Sequence, residues 1–293
     1  MTSEKTLPSK YSNLVVRLFS ALVALSILLI SLYYFKLTGA IFLVLIVSAL
    51  IAFEFTNLFF NNKKIPDIYI KFFIPVLIST SLWFSIQSLS LSSSPLPDKA
   101  PYALLPILIG LISIPWFYRL SPIQETFDKL VVYLLIVFYC YFLPLKILEI
   151  FKLDERFYFF CFFGLLVFGT DTLAYFFGKK FGRKYFTKAF QPQISPSKTY
   201  EGFLGSLVWP IVLILITQQL QIFDFNFLGL FFCYLTTLTA ISGDLIASLI
   251  KRKSTKKDSG TLFIGHGGFL DRLDSLLLSA PIFLMAVPHL TLL

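Results

Sequence analysis

The sequence predicts an all-α, polytopic membrane protein of about nine transmembrane helices with a cytoplasmic amino terminus. Three observations lead there. Hydrophobic residues make up 57% of the 293 residues and charged residues only 14%, an excess that a soluble fold of this length would have to leave exposed. Apolar runs near the roughly twenty residues that cross the hydrocarbon recur along the chain. Basic residues gather in a few of the connections between those runs.

The first run, Leu14 to Phe35, is too long for a secretory leader and lacks a small-residue cleavage site, so it reads as a retained helix. Lys36 separates it from Leu37 to Phe60. The turn-rich segment Asn61 to Pro66 then precedes Ile68 to Leu91, and Ser92 to Pro97 precedes Tyr102 to Tyr118. Beyond the midpoint come Leu130 to Ile150, Phe157 to Gly178, Phe203 to Ile222 and Phe227 to Ile250. The last run, Leu270 to Leu290, opens with charges before turning apolar. No repeat or soluble module appears, so residues 1–293 read as a single membrane domain. Within it, 14–165 supply amino-terminal spans and 166–293 carry the polar motifs.

If these runs alternate across the bilayer, all but five of the 25 Lys and Arg residues fall on the amino-terminal side; Lys36, Lys99, Lys146, Lys152 and Arg156 lie opposite. The positive-inside rule makes the richer side cytoplasmic. A net charge of +9 therefore reads as topology signal and phosphate binding, not as nucleic-acid binding, because no arginine-rich arm or aromatic RNA-binding box is present. Cys140, Cys161 and Cys233 lie in apolar runs without metal-site spacing and read as packing residues, as does His289.

Three segments break the apolar pattern. Asp171, in Gly169 to Arg183, is an ionisable group inside an apolar run, which insertion scales charge at roughly 2.5 to 3.5 kcal/mol; it implies a partner or a polar cavity. Ser195 to Gly202 combines hydroxyls, Lys198, Thr199, Glu201 and a helix-opening glycine. It fits either a phosphate cradle or a capping box in which Ser197 or Lys198 precedes the helix and Glu201 reaches back.

The third segment, Ser242 to Ser275, holds what nucleotidyl transfer requires: carboxylates for a divalent cation, cationic groups for the leaving phosphates, and glycines where backbone must approach them. Asp244 lies near the end of one span, and Asp271 and Asp274 open the next, three apart and on one helix face. Carboxylates so close together repel unless a cation joins them, although Asp271 and Asp274 also suit a helix amino terminus. His266, between glycines, is open to a base, a ligand or a backbone-bonding role.

These residues resemble the phosphatidate cytidylyltransferase, or CDP-diacylglycerol synthase, family. Its signature S-x-apolar-K-R-x4-K-D followed by H-G-G-x-x-D-R-x-D is met by Ser248, Lys251, Arg252, Lys257, Asp258, His266, Gly267, Gly268, Asp271, Arg272 and Asp274. The blocks around Asp171, Ala174, Tyr175 and Gly178, and around Ser195, Pro196, Lys198, Thr199, Glu201 and Gly202, are also similar, so the likeness covers most of Gly169 to Ser275. Ile264 stands where the family usually has Pro, and Ser259 where it usually has an apolar residue; both bear on loop shape.

The resemblance implies CTP and phosphatidic acid as substrates, with CDP-diacylglycerol and pyrophosphate as products. Asp244 and Asp271 would bind Mg²⁺, with K⁺ as an optional second cation and support from Asp171 and Asp274. Lys198, Lys251, Arg252 and Lys257 would clamp phosphates, and Ser195, Thr199, Glu201, Arg272, Gly267 and Gly268 would line the substrate site. The expected setting is a multi-pass protein of the cell membrane among membrane lipids, its active site cytoplasmic and a homodimer left open. Two rival readings remain: a CTP-dependent polyprenol or phytol kinase, and a transporter whose buried acids line a pathway.

Overall fold

The computed structural model describes residues 10–59, 131, 134–153, 155–256, 259–260 and 268–293. Helix α1 runs unbroken from Lys10 to Phe59. The expected turn at Lys36 is absent, because nothing near it withdraws a backbone donor as proline would, and intrahelical bonding continues. At 1.5 Å per residue α1 is about 75 Å long, and its Leu37–Phe59 portion meets the length and hydropathy of a span. The count of about nine spans and the cytoplasmic amino terminus both assume a turn that this helix does not contain. The expected spans Ile68 to Leu91 and Tyr102 to Tyr118 lie outside the described residues.

Further along, residues 134–150 are helical, with a π-helical stretch at Phe138–Phe142 leading into α2 (Leu143–Ile150). Helix α3 (Arg156–Phe181) leads to a small antiparallel hairpin, β1 (Ala189–Gln191) and β2 (Ser195–Thr199). Then come α4 (Tyr200–Ser206), α5 (Trp209–Gln219), β3 (Phe223–Phe225), α6 (Phe227–Lys253), α7 (Leu270–Ala286) and β4 (Leu290–Leu292), the last paired with β3. The all-α expectation therefore holds for the bulk of the described chain, with one short hairpin and one two-stranded pair of distant segments added. Among the described residues four helical stretches are long and apolar enough to cross a membrane: Leu37–Phe59, Phe157–Phe181, Tyr200–Gln219 and Phe227–Lys253. Large apolar side chains such as Phe168, Phe176, Leu215, Phe231 and Leu249 point outward from them, a surface suited to lipid.

Two apolar clusters meet on α7. One joins Ile51 and Phe55 of α1 to Leu143 and Leu148 of α2, Ala247 and Ile250 of α6, and Leu270 and Leu277 of α7. The other joins Phe162 and Phe163 of α3, Leu213 of α5, Cys233 of α6 and Phe283 of α7. Two chain reversals then set polarity along the bundle. The carboxyl ends of α3 and α6, the β1–β2 hairpin and the amino ends of α4 and α7 share one end; the antiparallel pair of β3 with β4 closes the other. The described residues of the three polar motifs lie toward the first end.

Candidate active site

Asp244, Ser248 and Lys251 follow one another at helical spacing on α6 and so share a face. Ser248 Oγ donates to Asp244 Oδ1 at 3.4 Å. From β2, the Lys198 ammonium meets Asp244 Oδ2 at 2.6 Å. The Lys251 ammonium reaches Asp271 Oδ1, at the start of α7, also at 2.6 Å, and both side chains of that pair are only 12% exposed. Asp271 Oδ2 accepts the backbone N–H groups of Ser259 at 3.0 Å and Gly268 at 3.3 Å, so this carboxylate fastens both limbs of the α6–α7 loop.

Gly243 explains how the aspartates come together. A Cβ there would lie 2.5 Å from the Asp274 carbonyl oxygen, so only glycine lets α6 approach α7 this closely. Asp274 is buried, and its Oδ1 accepts the Ser275 N–H at 2.7 Å. Asp244 lies within electrostatic reach of both Asp171 on α3 and Asp274 on α7, while Lys198 faces Asp171 and Lys251 faces Asp274. Of these carboxylates, Asp244 and Asp271 are each paired with an ammonium group. Arg252 is exposed and donates through Nε to the Ile194 carbonyl at 3.3 Å, pinning the hairpin to α6. Arg272 is exposed on the first turn of α7.

The segment Ser195 to Gly202 does not form the expected capping box. Its first five residues are strand β2, Pro196 being tolerated because a two-stranded sheet is all edge. Thr199 is the cap of α4 and accepts the Gly202 N–H at 3.1 Å, so Ser197 and Lys198 do not fill that role. Glu201 does not reach back to the cap. It turns to the α3–β1 connection, where Oε1 accepts the Tyr185 and Phe186 N–H groups at 3.0 Å each. Arg183, with a positive φ of 63°, donates to the Pro196 carbonyl at 3.2 Å. Glu201 and Thr199 thus shape the hairpin that presents Lys198, and Ser195 begins the strand that carries it. Lys257, His266 and Gly267 lie outside the described residues.

One residue was missed. Glu54 of α1 is buried, and its carboxylate accepts hydrogen bonds from Ser259, Phe269 and Leu270. The signal that marks Asp171, an ionisable group inside an apolar run, marks Glu54 equally.

The donor set fits a hard cation. It offers carboxylate oxygens without thiolate, and an ammonium rests at 2.6 Å on one oxygen of both Asp244 and Asp271, showing that each attracts positive charge. Among the described residues no three His, Cys, Asp or Glu side chains are grouped so as to hold a metal ion by themselves. Mg²⁺ typically takes one or two carboxylates and completes its shell with water and substrate phosphate.

Comparison with known proteins agrees. A phosphatidate cytidylyltransferase of Aquifex aeolicus (strain VF5) is 33% identical over 176 residues, 60% of this chain and 62% of that one. A phosphatidate cytidylyltransferase of Bacillus subtilis (strain 168) is 40% identical over 152 residues, covering 50% and 53%. One from Haemophilus influenzae is 38% identical over 124 residues, covering 41% and 42%. The chain therefore spans about half the length of the relatives it matches. The model of the cytidylyltransferase family matches residues 15–290, both described halves of the bundle and the aspartate-bearing helices included, and the chain belongs to that family.

Proposed function

We propose that this protein is a phosphatidate cytidylyltransferase, converting CTP and phosphatidic acid into CDP-diacylglycerol and pyrophosphate. The observation that carries the reading is the pairing of Asp244 with Lys198 and of Asp271 with Lys251 on facing elements at one end of a lipid-facing bundle. Alternating carboxylates and ammonium groups suit a cation–triphosphate complex. The names of the relatives point to the same reaction.

The lipid phosphate is already an anionic nucleophile, so the chain needs no covalent intermediate. Its oxygen attacks the α-phosphorus of CTP in line; the bond to the bridging oxygen breaks, and pyrophosphate leaves with the electron pair. Asp244 and Asp271, supported by Asp171 and Asp274, would hold Mg²⁺, which when bound neutralises triphosphate charge. Lys198 and Lys251 pair with the same carboxylates and would hold the phosphates together with Arg252; Lys257, outside the described residues, is assigned to that clamp by the sequence. Arg272, exposed at the start of α7, suits the lipid phosphate.

The active end is assigned to the cytoplasm, where CTP is. Lys179 and Lys180 lie in the last turn of α3, Arg183, Lys184 and Lys188 follow it, and Lys251, Arg252 and Lys253 close α6, whereas the opposite connection through β3 carries Asp224 and no Lys or Arg from Leu220 to Asn226. Diacyl chains would stay in the bilayer while the head group enters between the helices.

The test is pyrophosphate release by purified protein given phosphatidic acid, CTP and Mg²⁺. Asp244→Asn and Asp271→Asn should each lower kcat by about 100-fold or more, the scale of removing one preorganised electrostatic group, while membrane insertion is retained. Full activity in both variants would refute the assignment.

A further inference from the structure

Glu54 is the single charged residue between Leu37 and Phe59, and it is 1% exposed. Its Oε1 accepts the Phe269 N–H at 2.7 Å; its Oε2 accepts the Leu270 N–H at 3.0 Å and the Ser259 hydroxyl at 2.8 Å. Gly260 and Gly268 leave room for it, since a Cβ at either would lie 2.9 Å from Oε1 or 2.5 Å from Oε2. These bonds answer a specific need. Phe269, in the cap position before α7, supplies no side-chain cap, so the first N–H groups of the helix need an acceptor from elsewhere. Asp271, two residues on, takes the N–H of the same Ser259 whose hydroxyl goes to Glu54. One turn further along α1, the Asn57 carbonyl accepts the Lys256 ammonium at 3.0 Å, so α1 grips both limbs of the loop.

We infer that Glu54 is a positioning residue for the cation-binding end of the site: it caps α7 from another helix and fixes Ser259, whose N–H, with that of Gly268, holds Asp271. A residue 217 positions before Asp271 would then set the metal affinity of the transferase, an inference that rests on the proposed function. Glu54→Gln keeps the shape but turns an amide donor toward N–H or O–H donors. Supporting interactions of this kind are worth roughly 10- to 100-fold in metal affinity or activity.

The experiment uses purified full-length protein and two readouts: Mn²⁺ binding by electron paramagnetic resonance without substrate, and steady-state pyrophosphate release. Glu54→Gln should bind Mn²⁺ about ten-fold more weakly and lose at least about ten-fold in kcat. Ser259→Ala, which removes only one donor, should shift both in the same direction by a smaller factor and decides the matter if Glu54→Gln does not fold. Unchanged Mn²⁺ affinity and kcat in the folded variants, even with a lowered Tm, would overturn the inference and leave Glu54 a packing residue. An inactive wild type would instead count against the proposed reaction, and Mn²⁺ binding would still judge the positioning role.

Discussion

Single ionisable side chains do most to define this site, and the cost of placing them in an apolar setting is what makes them informative. Asp171, Asp244 and Asp274 stand out in the sequence because each interrupts residues suited to lipid or core, and the structure brings their charges within reach of one another. Glu54 met the same criterion, yet its partners lie 205 to 216 positions away, a closure that no local pattern encodes. Lys198 was legible as a cation but not as the partner of Asp244, which depends on how the hairpin folds back. If Lys198 exchanges the Asp244 carboxylate for a CTP phosphate, Lys198→Ala should raise the KM for CTP by about 10-fold or more, the worth of one charged hydrogen bond, with the lipid KM little changed. Steady-state kinetics with each substrate varied in turn checks this.

Elements bring those side chains to one place through close backbone approaches. Helices α6 and α7 form a hairpin whose contact at Gly243 leaves no room for a side chain, and α4 meets α3 where a Cβ on Gly202 would lie 2.7 Å from the Ala174 carbonyl. Gly243→Val should therefore push Asp244 away from Asp274, costing about 1 to 3 kcal/mol of stability by overpacking and abolishing most activity in protein that still folds. Thermal unfolding in detergent together with specific activity measures both effects. The long apolar helices were readable from composition and period. Strands β1 and β2 were not, because three to five residues around Pro192 and Pro196 carry no alternating pattern, and their pairing is fixed by Arg183, Glu201 and Arg252 reaching in from neighbouring elements. The break expected at Lys36 failed for a related reason: one charged residue does not end a helix whose backbone bonds remain satisfied.

At the scale of the whole molecule, the two apolar clusters meeting on α7 make one body with its polar chemistry at one end. The outward apolar faces suit lipid, and the proposed function would use that polar end as the place where a lipid phosphate and a soluble triphosphate meet. The sequence made this division visible because basic connections and acidic interruptions alternate with apolar spans. Chain reversal, which decides that α3, α6 and α7 present those residues at the same end, became visible only in three dimensions. The chemistry follows from that arrangement and is tested by the fate of the label in CTP. With phosphatidic acid and Mg²⁺, purified protein supplied with CTP labelled at the α-phosphorus should pass the label to the lipid, and CTP labelled at the γ-phosphorus should give labelled pyrophosphate. Transfer of the γ label to lipid with CDP as co-product, or no transfer from either position, would contradict the account.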